Sequence, residues 1–287
     1  MHMKYGVQQM MLGSICTSEE KTREVLHEIK KAGYDGIEVN QYMVHPTSVF
    51  VRGLTRVSGM PSGNAGKYDW PALLKEAGLE AIALHSDIDS IEKRFDYVME
   101  DVKRFDVKDI VITGLYHYPY HREKDVISLC DRLDACGMRA QENGLNLIYH
   151  NHNIEFAKVN EKYCAYDLIR KHTDKELVSF ELDAYWLADS GREPLRYIKK
   201  LGDRMKYLHI TDRGVRIKRT AITPIVKYDS VELGTGNLDV GKIFDQCEKQ
   251  GIRYAILESH KNWINDSPLD SILLSSEFIK KRNAVSD

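Results

Sequence analysis

Eight apolar runs alternate with eight amphipathic stretches along this chain of 287 residues, and no other feature restricts the fold as tightly. The runs lie at residues 5–10, 36–40, 80–85, 108–114, 145–150, 178–183, 207–212 and 254–259. Each is short and rich in Val, Ile, Leu and Tyr, as a buried strand is. The stretches between them carry apolar residues at helical spacing. In the first, Val25, Leu26, Ile29 and Ala32 make one stripe; Thr17 or Ser18 can cap its start and Gly33 can end it. Residues 70–77 make a short helix stopped by Gly78. Residues 90–105 read as one helix with Ile91, Phe95, Val98, Val102 and Phe105 facing inward. Strict alternation of this kind implies a parallel sheet with right-handed crossovers. Eight units in a chain of this length imply a closed (β/α)8 barrel and a single domain over residues 1–287. Neither a GxGxxG nor a P-loop follows the first strand, which argues against a doubly wound nucleotide-binding sheet.

Two segments break the rhythm. Residues 41–67 contain two prolines and four glycines with no clean period, and are expected to form a lid or wall over a pocket. Residues 213–238 form the second long loop, after strand seven.

Composition narrows the function by exclusion. The net charge is −2, with acids and bases mixed along the chain, so no basic face offers itself to nucleic acid. The five cysteines include no CxxC pair, which fits reduced, buried thiols better than a disulfide framework or structural zinc. No apolar run approaches the roughly 18 residues of a membrane span. The start, MHMKYGVQQMM, lacks the pattern of a signal peptide. The expectation is a cytoplasmic protein with no membrane partner.

The chemistry concentrates where the later strands end. LNLIYHNHNIEF begins as a buried strand and then sets His150, Asn151, His152, Asn153 and Glu155 within six residues. VSFELD ends in Asp183, YLHITD carries His209 and Asp212, and YAILESH carries Glu258 and His260. Barrel enzymes build their sites at the C-terminal strand ends. Other polar residues at those ends are Gln8, Gln9, Glu38, Asn40, His85, Thr113 and Glu181. One such residue is ordinarily a buried hydrogen-bonded group. Unpaired charge on several adjacent strands is costly, so the set reads as a divalent-metal site with Asp183, His209 and Glu258 as ligands. Mixed oxygen and nitrogen donors without thiolate suit Mn²⁺, Mg²⁺, Co²⁺ or Zn²⁺, with Mn²⁺ foremost.

The motifs GYDGIEVN, LEAIALHSD, YHNHNIEF, FELDAYWLADSGREP, DRMKYLHITDR and LGTGNLD, with YAILESH, resemble the xylose isomerase-like (β/α)8 barrels over nearly the whole chain. That group includes sugar-phosphate isomerases and epimerases, inosose dehydratases and endonuclease IV. The resemblance implies four metal ligands, one from each of strands five to eight. Three match as Asp183, His209 and Glu258. Many members carry ENH at the end of strand five, where this chain has HNH; Glu155 is the expected replacement and His150 its rival. The chain also departs from the family pattern at Thr211, where lysine is common, and at Thr235, where glutamate is common.

A metal-held hydroxyl and carbonyl of a sugar would have an acidified neighbouring C–H. Glu155, Glu258, His150 and His152 are the candidate acid and base groups. His85, Trp186, Asp212 and His260 are candidates for binding the substrate. Among the aromatics Tyr42, Trp70, Tyr116, Tyr118, Tyr185 and Trp186, which can stack on a sugar face, Trp186 is the preferred pocket wall. The expected activity is isomerisation or epimerisation of a keto-sugar or sugar phosphate. A lyase of inosose or keto-glycoside type is the rival on the same site, and His85, His150 and His152 would serve its leaving group. Endonuclease-type cleavage needs a basic groove that the charge does not supply. A non-enzymatic sugar-binding subunit is the remaining alternative. A homodimer or homotetramer is expected.

Overall fold

A computed structural model of the chain describes residues 3–46, 65–217 and 223–286. Eight parallel strands close into a barrel, each beside the next in chain order and the last beside the first. They are β1 (Lys4–Gln8), β2 (Gly36–Asn40), β3 (Glu80–Ser86), β4 (Asp109–Thr113), β5 (Asn146–His150), β6 (Val178–Asp183), β7 (Met205–Ile210) and β10 (Tyr254–Leu257). The principal outer helices are α1 (Glu19–Lys31), α3 (Trp70–Ala77), α4 (Ile88–Lys93), α5 (Phe95–Phe105), α6 (Glu123–Glu142), α7 (Ala165–His172), α9 (Pro194–Leu201), α10 (Val240–Lys249) and α11 (Pro268–Ser286). Two shorter helices, α2 (Gln41–Val44) and α8 (Ala184–Asp189), follow β2 and β6 directly. Among the described residues no helix is long and apolar enough to cross a membrane. All five cysteines are free and buried.

The closed barrel and its helices agree with the alternation of the sequence. Local chemistry sets the boundaries. The Ser18 side chain accepts from Lys21 N at 3.1 Å and starts α1, with Glu19 and Glu20 in the first turn and Lys30 and Lys31 in the last. The single helix expected over residues 90–105 is two. Asp87 caps an earlier start by accepting from Ser90 N, and Arg94 then leaves helical geometry at φ −139° and ψ 41°. The apolar stripe runs through this break without losing phase, because Ile91, Phe95, Val98, Val102 and Phe105 are all buried. The sequence therefore hides the break. Strand seven ends at Ile210, and Asp212 belongs to a separate short strand, β8 (Asp212–Gly214). β8 pairs antiparallel with β9 (Asp229–Val231), so the long loop after strand seven carries its own two-stranded sheet. Of the lid expected at 41–67, residues 47–64 lie outside the described residues.

The two-residue period of a strand sorts side chains between the helix layer and the barrel interior. Ile82, Ala83, Val111, Ile148, Tyr207, Tyr254 and Ile256 fill the interior as a cluster of their own. Each large apolar side chain buried this way contributes about 1.5–3 kcal/mol. Gly6 on β1 leaves the room this filling needs, since a Cβ there would stand 2.3 Å from Ile82 Cδ1. One turn of the pleat above this plug the inward positions become polar, and the site begins.

Candidate metal centre

On β5, β6, β7 and β10 the inward positions above the plug hold His150, Glu181 and Asp183, His209, and Glu258 just past the strand. Register places His150 beside Glu181, and Asp183 beside His209. One donor atom each from His150, Asp183, His209 and Glu258 lies within 4.8 Å of the others, and all four residues are buried. A second group with the same property consists of His85, His150, Glu181 and His209.

The contacts inside this cluster are short and mostly between carboxylate and imidazole. His209 Nδ1 lies 2.8 Å from Glu258 Oε2, and its Nε2 lies 2.7 Å from Glu38 Oε2. His150 Nδ1 lies 3.1 Å from Glu181 Oε2. His85 Nε2 lies 3.0 Å from Glu38 Oε2 and 3.2 Å from Glu181 Oε2. Glu38 Oε1 is buried without a hydrogen-bond partner.

Electrostatics follow from this crowding. Burial pushes the Asp183 carboxyl well above its ordinary range, and the charge of Glu258 pushes it further. Burial disfavours charge on His209, but Glu181, Glu38 and Glu258 outweigh it and hold the imidazole well above its ordinary value. Burial alone would lower His85; Glu38 and Glu181 instead raise it to about 10. His150 is lowered, mainly by burial. For Glu258 burial is outweighed by His209, and the carboxyl is held well below its ordinary range. A buried carboxyl whose ionisation is opposed by burial and by a neighbouring carboxylate marks a place where positive charge is wanted. Two imidazoles and two carboxylates converging there are a donor set that divalent cations accept.

A cavity of about 420 Å³ opens over the cluster. His85, His150, His152, Glu258 and His260 line its floor side, and Met10, Asn40, Tyr42, Arg94, Tyr97 and Tyr116 belong to its wall. His152 lies ring to ring with His150, 5.0 Å between centroids. Burial lowers His152 to about 3, and the neighbouring His150 adds to this, so the ring is neutral at neutral pH. His260 Nε2 is buried without a hydrogen-bond partner.

The sequence expectations divide on this geometry. Asp183, His209 and Glu258 converge, and His85, His150, His152 and His260 face the cavity with Glu258. Glu155, expected as a ligand and as a catalytic group, lies outside both donor groups and does not line the cavity. Its Oε1 accepts from Tyr149 OH at 3.0 Å and its Oε2 from His152 N at 3.0 Å. The strand-five place in the donor group belongs to His150, because His150 is the last inward position of β5 while Glu155 lies in the following turn. Gly114 accommodates that turn, since a Cβ there would stand 2.2 Å from Glu155 Oε1. Burial raises Glu155 to about 7.

Asp212, expected to bind substrate, holds the long loop instead. Its oxygens accept from the backbone N–H groups of Arg213, Gly234, Gly236 and Leu238 at 2.7–3.1 Å. Trp186 is not part of the cavity lining; it stands behind it, with His152 at 6.0 Å and His260 at 5.6 Å between ring centroids. Of the other aromatics Tyr42 and Tyr116 line the cavity, whereas Trp70 is wholly buried in the helix layer. Glu38 and Glu181 had no role assigned from sequence beyond being polar at strand ends. The alternation Glu181–Leu182–Asp183 is the signal that would have turned both acids into the barrel.

Residues 26–282 match the model of the xylose isomerase-like TIM barrel family. An inosose dehydratase of Bacillus cereus is 27% identical over 193 residues, covering 60% of this chain and 61% of that enzyme. A sugar phosphate isomerase/epimerase from Parabacteroides distasonis superposes with a TM-score of 0.75 at 20% identity, over 98% of this chain and 94% of the other. The IOLI protein, solved with a zinc atom, superposes with a TM-score of 0.67 at 18% identity, over 98% of each chain.

Proposed function

The chain belongs to the xylose isomerase-like TIM barrel family, and from that premise we propose that it removes a proton next to the carbonyl of a sugar or cyclic keto-polyol. The observation that carries this reading is the convergence of four donors from four adjacent strands beneath a cavity lined by further imidazoles. His150, Asp183, His209 and Glu258 would hold a divalent cation. When bound, that cation polarises the substrate carbonyl and acidifies the adjacent C–H.

The remaining residues do the work of binding and proton transfer. His152 and His260 both face the cavity beside the donor group. His152, kept neutral by burial, is suited to hydrogen-bond a substrate hydroxyl; His260, whose Nε2 has no hydrogen bond and lies 3.9 Å from Glu258 Oε1, can accept or return the proton. Trp186 packs against both rings and limits their rotation. Asn40 and Ser86 offer hydrogen bonds to substrate hydroxyls, and Tyr42, Tyr97 and Tyr116 offer apolar faces to a ring.

Return of the proton to the same or the neighbouring carbon gives epimerisation or isomerisation. Departure of a β-hydroxyl gives dehydration, and the curated relative named inosose dehydratase favours that second reading. Incubating the metal-loaded protein with inososes and keto-glycosides in D₂O tests both. Epimerisation or isomerisation leaves a deuteron in the product, and elimination removes water or an aglycone. A protein that binds these compounds without exchanging or losing anything would be a sugar-binding subunit, and the enzymatic proposal would fall.

A further inference from the structure

The two imidazoles of the donor group each turn one nitrogen toward Glu258 and the other toward a deeper carboxylate. His209 directs Nδ1 to Glu258 Oε2 at 2.8 Å, while its Nε2 meets Glu38 Oε2 at 2.7 Å and lies 3.2 Å from Glu181 Oε1. His150 does the reverse: its Nε2 lies 3.9 Å from Glu258 Oε2, and its Nδ1 meets Glu181 Oε2 at 3.1 Å. Glu181 stands two residues before Asp183 on β6, so the pleat puts it on the same inward face one layer deeper. It is wholly buried, as is Glu38. A buried carboxylate is costly unless it accepts hydrogen bonds, and Glu181 Oε2 accepts from His150 and His85, while its Oε1 lies against His209 Nε2 without a hydrogen bond.

We infer that Glu181 is a positioning residue lying against both histidine ligands, accepting from His150 and touching His209, while Glu38 is the acceptor that holds His209. The inference rests on the cation site proposed above and adds what fixes its two nitrogen donors. Glu181 takes the Nδ1–H of His150, which leaves Nε2 as the donor atom. Glu38 Oε2 takes the Nε2–H of His209, which leaves Nδ1. The two rings thus bind through opposite nitrogens, a consequence of the two deeper carboxylates each taking one ring's other N–H. His85, donating to the same two carboxylates from β3, holds this base in place.

Glu181→Gln is the direct test. The amide keeps the volume but loses the negative charge that the buried imidazole N–H groups of His150 and His85 face. Cation affinity, measured by competition of Zn²⁺ with a chelating indicator, is expected to fall by about 10- to 100-fold, the scale reported for such outer carboxylates. Glu38→Gln is expected to lower it less, because Glu38 touches only His209 of the pair. The absorption bands of the Co²⁺-loaded protein are expected to keep their shape in Glu181→Gln, since the donor set is intact. Unchanged affinity in Glu181→Gln, altered Co²⁺ bands, or two tightly held ions per wild-type chain would each overturn the inference; the last two would make Glu181 a ligand. If the wild type bound no cation, the proposed function would fail, and crystal structures of the metal-free proteins would still decide the clamp. The His150 ring is expected to hold its orientation in the wild type and rotate in Glu181→Gln. The same orientation in both would contradict the clamp.

Discussion

The two mouths of the barrel are both ringed with inward-pointing charge, yet the charges are spent differently. At the N-terminal mouth Glu80 and Asp109 each meet donors that suit them. Glu80 accepts from Lys4 Nζ at 2.7 Å and from the Tyr254 hydroxyl. Asp109 accepts from Asn146 Nδ2 at 2.7 Å and from the Tyr207 hydroxyl. At the C-terminal mouth Glu38, Glu181, Asp183 and Glu258 crowd around three imidazoles, two carboxylate oxygens, Glu38 Oε1 and Glu181 Oε1, have no hydrogen-bond partner, and burial pushes the Asp183 carboxyl well above its ordinary range. The lower mouth is a finished structure, and the upper one is arranged for something to be added. In a barrel of this kind the first holds the fold and the second carries the chemistry.

That contrast can be broken by mutation. The largest effect is expected at Glu258, where Glu258→Gln removes a donor without removing volume. Turnover should fall by roughly a thousand-fold or more, the scale of several kcal/mol of electrophilic assistance, while the melting temperature of the metal-free protein changes little. A variant retaining most of the wild-type rate in a steady-state assay would show that the upper cluster is only structural.

Removing the cation with a chelator should come next. A ligand at 100 times its dissociation constant stabilises by about 2.7 kcal/mol, and calorimetry with and without chelator reads that difference. The difference should vanish in Glu258→Gln. At the lower mouth Asp109→Ala leaves the Tyr207 hydroxyl buried without its acceptor, at a cost of roughly 1–3 kcal/mol. This loss should be the same with and without cation, and cation affinity should be unchanged. A shift in affinity would mean that the two mouths are coupled.

The smallest effect concerns Glu155, the acid that turned away from the donor group. Burial raises its folded-state value from 4.5 to about 7. A carboxyl raised by folding favours the folded state at low pH, and that contribution is lost as pH rises from about 4.5 through about 7. Glu155→Gln removes this dependence, so its melting temperature should fall less steeply than the wild type's across that window. The amide can donate to Tyr149 OH and accept from His152 N, so no new unpaired group arises. Parallel curves for the two proteins would show that the carboxyl is already ionised at low pH.

The fold was legible because strand and helix periods repeat eight times, and tertiary packing had little to overrule. The donor set was largely legible because Asp183 and His209 fall at or near the ends of recognisable strands and Glu258 just beyond one. His150 and Glu155 were not separable by type, since both are metal-ligating residues within one motif. Only the direction of the last β5 position and the following turn divides them. Asp212 looked like a site residue because it follows His209 so closely, and its capture by four backbone N–H groups depends on a loop returning from residues 234–238. Glu181 was named only as a polar strand residue, and its contact with His150 and His209 comes from neighbouring strands brought together by the barrel.

Elemental analysis of the freshly purified wild type and of Asp183→Ala, paired with turnover of each, bears most directly on the upper mouth. About one divalent ion per wild-type chain is expected, with little or none in the variant and turnover lost with it. A wild type without stoichiometric metal, together with an Asp183→Ala chain that turns over at the same rate, would contradict the account.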